Sequence, residues 1–138
     1  MDALTLQKAN EIIRIAMDKA AADFKRPICV SICDAAGFLI SFQRQDGAPL
    51  RSIAISQGKA YSAARMQVTT EALLQRLERE NIQASYFCDE KITPLPGGSP
   101  LRSDSSAIIG AIGVSGLTSA EDQEIADYLA AHILKLAS

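Results

Sequence analysis

The run Ala107 to Ser115, AIIGAIGVS, constrains this chain more than any other stretch. It is apolar enough to be a buried strand, yet glycines stand at 110 and 113, and a third follows at 116. A glycine inside a strand leaves the sheet surface bare, so a helix or a ligand has room to come close there. Upstream, Pro96-Gly97-Gly98-Ser99-Pro100 reads as a glycine turn with prolines at its edges. Downstream, Thr118-x-x-Glu121 matches a capping box. It opens a helix that runs to about Leu136 on Ile125, Ala126, Leu129, Ile133 and Leu136.

The rest of the chain supplies partners for that strand. Thr5 caps a helix whose apolar stripe is Leu6, Ala9, Ile12, Ile13, Ala16, Met17 and Ala20. It should end near Phe24, because Pro27 disfavours helical geometry at Arg26. Ile28 to Cys33 reads as a strand covered on both faces, and Asp34 to Gly37 as a hairpin connection to a partner strand, Phe38 to Arg44. After the Asp46-Gly47 turn, Ser52 is the expected N-cap of a helix to about Met66, with Ile53, Ala60, Ala63 and Ala64 inward. Gly58, in mid-helix, points to tight packing or to ligand access. Thr69 or Thr70 caps a third helix to about Glu80, with Leu73, Leu74 and Leu77 inward. Residues 81–91 read as loop with a strand fragment, and Ile92 to Leu95 and Leu101 to Ser103 as the arms of a hairpin around the glycine turn. Terminal helices bracketing strand groups favour an antiparallel sheet covered by helices, in one domain spanning 1–138.

Charge and cysteine usage exclude several classes. The net charge of −2 leaves no electrostatic footprint for nucleic acid. No stretch approaches the roughly 18 uninterrupted apolar residues of a membrane span. The first residues show no signal-type apolar run, so a cytoplasmic location is expected. Cys29 and Cys33 lie on one strand, about 13 Å apart, beyond the ~7 Å that a disulfide allows. They read as buried thiols, and Cys88 as a loop thiol.

Glycines spaced G-x-x-G-x-x-G do not make the G-x-G-x-x-G of dinucleotide binding, and no Walker pattern, nucleophile elbow or H-E-x-x-H is present. Ser115-Gly116 before a capped helix offers backbone amides that suit a carboxylate or phosphate. Arg44, Arg51 and Lys59 are candidates for a cationic rim near Gly97-Gly98, and Asp46, Lys59 and Asp104 for acid–base work. His132 is the single imidazole, on the flank of the last helix's apolar face. Tyr61, Tyr86, Tyr128, Met66 and the cysteines are further side chains able to ligate iron.

Two blocks, PGGSPLRSDSSAIIGAIGVSGLTSAED (from Pro96) and FQRQDGAPLRSIAISQGKAYSAARM (from Phe42), resemble the GlcG/HbpS family, also found as the C-terminal domain of PduO-type proteins. The resemblance covers nearly the whole chain. It implies a profilin-like α/β/α fold (α+β class) with a five-stranded antiparallel sheet, assembled into homo-oligomers. Some members bind haem, with histidine among the associated ligands, whereas this chain has no histidine in residues 1–131. The expected function is a non-catalytic accessory protein binding a small molecule, a tetrapyrrole such as haem or a corrinoid. An enzyme partner in organic-acid, diol or glycerol metabolism is also implied. The binding residues expected are His132, Arg51, Lys59, Tyr61, Gly97, Gly98, Ser115 and Gly116. The alternatives are an enzyme using Lys59 and the Ser115 turn on a small organic acid or aldehyde, and a structural subunit of a metabolic complex.

Overall fold

The computed structural model describes residues 3–137, with side chains through 133. In chain order the elements are α1 (Leu6–Asp23), β1 (Cys29–Asp34), β2 (Leu39–Arg44), α2 (Ser52–Met66) and α3 (Thr70–Glu80). A 3-10 turn (Ala84–Phe87), β3 (Gly98–Arg102), β4 (Ile108–Ser115) and α4 (Ser119–Ala137) complete the fold. Among the described residues the strands form one four-stranded antiparallel sheet in the order β2-β1-β4-β3. No helix among them is long and apolar enough to cross a membrane.

The helix starts obey local chemistry. Thr5 accepts from the Lys8 amide at 3.1 Å and Thr69 from Ala72 at 3.0 Å. Thr118 and Glu121 bond reciprocally at 3.1 and 3.2 Å, the expected capping box. α2 departs from expectation. Ser52 lies inside the helix, Arg51 occupies the cap position without a side-chain bond, and the Ser52 hydroxyl accepts from Ser115 at 3.0 Å instead.

The fifth strand expected is absent among the described residues. Pro94 and Pro96 lack amide hydrogens, and the Ile92 and Thr93 amides go to Asp89 O and the Ser62 hydroxyl. The turn expected at Gly97-Gly98 is displaced too: Gly98 opens β3 and pairs with Gly113. Leu6 leaves the α1 stripe and is exposed, Ile53 is only half-buried, and Leu136 lies outside the described side chains.

The two faces of the sheet are covered differently. One carries α1 and α4, where Ile12, Ile13, Ile32, Ile112, Ile125 and Leu129 form a fully buried aliphatic core. The other carries α2, which sits almost directly on the strands. A Cβ at Gly113 would lie 2.0 Å from Ser56 O, and one at Gly98 would lie 2.4 Å from Lys59 O. Ser31, Gly113 and Gly98 are neighbours across β1, β4 and β3, so they form one bare row for the helix. The strand reading of the glycine run therefore holds, and the close element is α2.

Candidate functional site

Seating α2 this deeply buries a lysine. Lys59 is 1% exposed, and its Nζ donates to the Val114 carbonyl at 2.8 Å and to the Asp122 carboxylate at 3.1 Å. Gly97 makes room for it: φ is +135° there, and a Cβ would lie 2.6 Å from the ammonium. Asp122, in the first turn of α4, also accepts from the Leu117 amide at 3.1 Å. Burial pulls the Lys59 pKa below its ordinary 10.5, against the attraction of Asp122. Burial likewise pushes Asp122 above its ordinary value, against the pull of Lys59. Beside the pair, the Gln123 side chain accepts from the Gly97 amide at 2.6 Å and donates to Gly98 O at 3.0 Å and Asp127 at 2.8 Å. Thr70 accepts from the Gly98 amide at 2.9 Å. Among the described residues no buried side-chain nitrogen or oxygen lacks a partner. This cluster joins α2, α3, β3, β4 and α4.

An opening with room for a ligand and a largely apolar lining lies on the outer flank of α2. A groove of about 650 Å³ runs between α2, the β1–β2 connection and the segment 90–95, a volume typical of small-molecule sites. Phe38, Leu39, Ile53, Ile55 and Leu95 give it an apolar wall, and Tyr61, Arg65 and Lys91 give it polar groups. Gly58, half-buried, lines it as well, and a Cβ there would meet the Thr93 methyl at 3.4 Å. The Arg65 guanidinium is 4.9 Å and the Lys91 ammonium 5.5 Å from the centre of the Tyr61 ring. Arg65 also donates to Ala36 O at 2.6 Å, which fixes it over the β1–β2 turn. The Tyr61 hydroxyl donates to Asp89 at 2.5 Å, raising the pKa of the phenol and lowering that of the carboxyl.

Of the residues expected to bind a ligand, Lys59, Gly97, Gly98, Ser115 and Gly116 do come together, but as interior structure. The amides expected to receive an external anion are occupied: Leu117 N bonds to Asp122 and Thr118 N to Glu121. The anion at that helix start is the chain's own carboxylate. A rim of Arg44, Arg51 and Lys59 does not assemble, because Lys59 is buried, while Arg51 is exposed at the start of α2. Arg44 lines a separate cleft of about 640 Å³ with Lys25, Arg26 and Asp46.

Tyr61 is the expected residue that lines the groove. His132 belongs to α4, on the opposite face of the sheet. Its Nδ1 lies 2.6 Å from the Tyr128 carbonyl and its ring stacks on Tyr128 at 4.2 Å. Sequence reasoning missed Arg65, Asp89 and Lys91. Arg65 was the most accessible of these, since residues four apart share a helix face and Tyr61 was already a candidate. Asp89 and Lys91 sit in an aperiodic segment and carried no signal.

Known proteins share this fold. A protein from Citrobacter freundii, described as an uncharacterised 15.0 kDa protein in the dhaT-dhaS intergenic region, is 29% identical over 129 residues, 90% of this chain and 87% of that protein. The crystal structure of a double mutant of HbpS from Streptomyces reticuli superposes with a TM-score of 0.83 at 28% identity, covering 95% of this chain and 87% of that one. A PduOC:heme complex superposes with a TM-score of 0.81 at 27% identity, covering 94% of each chain. The family model for "Haem degrading protein HbpS-like" matches residues 4–131. With that match over nearly its whole length, and the glycine-seated helix beneath it, this chain belongs to the HbpS-like family.

Proposed function

We propose that the protein is an accessory haem-binding protein that holds the tetrapyrrole in the groove beside α2. The observation that carries this reading is the composition of that groove. An apolar wall suits a macrocycle, and Arg65 and Lys91 suit its carboxylates. Tyr61 adds a side chain of a type that ligates iron. The family match and the relative solved with haem support the choice of ligand. When bound, haem would supply an iron centre able to take a side-chain ligand. Ile53, Ile55 and Leu95 would shield the ring from water, while Arg65, held by Ala36 O, would orient the carboxylates. A corrinoid, the other tetrapyrrole-type ligand, belongs to the same proposal and is a competitor in the same assay.

Assembly into homo-oligomers, a cytoplasmic setting and service to an enzyme of organic-acid, diol or glycerol metabolism complete the reading. The dhaT-dhaS relative supports the metabolic association. Exposed Phe38 and Leu39, adjacent at the start of β2, support burial between copies. The alternative of an organic-acid or aldehyde enzyme finds less support, since Lys59, its candidate acid–base residue, is 1% exposed and tied to Asp122.

Haemin titration tests the proposal. The parent should show a saturable, red-shifted Soret band. Ala54→Trp, which fills the groove from an exposed position of α2, should abolish it. Equal binding by both proteins would move the site elsewhere.

A further inference from the structure

The groove offers iron few donors. Among its lining residues Cys33, Gln57, Tyr61, Glu90, Lys91 and Thr93 carry atoms able to coordinate a metal. Gln57 and Thr93 are weak neutral donors already bonded to the Ile53 carbonyl and the Leu95 amide. Cys33 is 2% exposed and its thiol is pushed up to about 12 by burial, so it stays protonated. Glu90 and Lys91 are exposed at the rim.

Tyr61 is fixed from several sides. Its ring lies against Gly37, where a Cβ would come within 2.9 Å of it. Its hydroxyl is held by Asp89 at 2.5 Å, and Asp89 is itself fixed by accepting from the Lys91 amide at 3.1 Å. Two cations, Arg65 and Lys91, approach the ring.

We propose that Tyr61 is the residue of this chain that takes ferric haem iron, with Asp89 as its positioning partner. The inference rests on reading the groove as the haem site. On coordination, the Tyr61 O–H bond would break as its oxygen bonds to the metal. The proton would leave to solvent, the iron would stay ferric, and no electron would move. Arg65 and Lys91 offset the negative charge left on the phenolate. Tyrosine is an established haem ligand type, and a second partner that orients a ligand commonly changes metal affinity by about 10–100-fold.

The test is haemin titration of the parent, Tyr61→Phe, Tyr61→His, Asp89→Asn, Ala54→Trp and His132→Ala, read by absorbance, electron paramagnetic resonance and resonance Raman. The parent should give a high-spin ferric spectrum with a phenolate-to-iron charge-transfer band and tyrosinate Raman modes. Tyr61→Phe should lose both and bind on the order of tenfold more weakly or worse. Tyr61→His should replace them with an imidazole signature, which shows that the groove is intact. Asp89→Asn should weaken binding about tenfold, and His132→Ala should leave spectrum and affinity unchanged. If Tyr61→Phe keeps the parent's bands while Ala54→Trp still blocks binding, the Tyr61 assignment falls and the groove reading stands. If Ala54→Trp binds like the parent, or the parent gives no saturable spectrum, both fall.

Discussion

On the α1/α4 face of the sheet, Ile32, Leu101 and Ile112 meet Ile12, Ile125, Leu129 and Ile133, all buried. On the α2 face, Ser31, Gly98 and Gly113 meet Ser56, Lys59 and Ala60. The first face is held by apolar side-chain area, which contributes about 25 cal/mol per Å² removed from water. The second has little such area and is held by close backbone approach, paired hydroxyls and one buried ion pair. The two should therefore fail in opposite ways. Truncation opens cavities in the aliphatic layer, whereas enlargement or loss of a polar partner disrupts the layer under α2.

Gly113→Val is the largest break. Its Cβ would overlap Ser56 O and Ala60 N, backbone atoms that cannot swing aside, so overpacking should cost several kcal/mol, about 3 or more. Insoluble or unfolded protein is expected, and a melting temperature within a degree or two of the parent would show α2 to be less closely seated. Asp122→Asn comes next. It leaves the buried Lys59 charge without its counterion and should cost about 3–5 kcal/mol by urea unfolding. The double variant Lys59→Met with Asp122→Leu should recover part of that loss, because no charge is then buried. A double variant as unstable as the sum of its singles would contradict the coupling.

Leu129→Ala tests the other face, and about 2–4 kcal/mol should be lost through a cavity. Cys33, under α2, responds to alkali. Its folded pKa, about 12, lies above the ordinary thiol value of 9.0, so its contribution is intact below pH 9 and fades as pH climbs from 9 toward 12. That component amounts to about 1.4 kcal/mol per pH unit within the window. The slope should shrink in Cys33→Ala. The mildest change is Ser31→Ala, about 1 kcal/mol. It removes the 2.9 Å bond to Ser56, which keeps a second bond to Ile53 O.

The sequence made one face far more legible than the other. The steps of three and four in α1 and α4 announced Ile12, Ile13, Ile125 and Leu129 as core, because periodic burial of large side chains is a local pattern. Gly113 could be read as a point of close approach, though not what approaches. Lys59 escaped because its meaning depends on Asp122, 63 residues away, and nothing local tells a buried lysine from a rim lysine. The strand count failed where Pro94 and Pro96 interrupt an apolar segment that its amides tie to α2 and Asp89. Tyr61 was visible as one possible ligand among several. What distinguishes it is Asp89, which comes from the aperiodic stretch after α3.

The seclusion of Lys59 also bears on how the protein meets proteases. Trypsin needs a basic side chain and several flanking residues in extended form, and the bond after Lys59 offers neither while α2 rests on Gly98 and Gly113. Cutting there requires the helix to lift and the ammonium to leave Asp122. Where reclosing outpaces cleavage, the rate at that bond follows the population of the lifted form. Arg51 and Arg65, exposed near the two ends of the same helix, provide the comparison within one digest. A single peptide map thus separates fraying of α2 from its wholesale departure from the sheet.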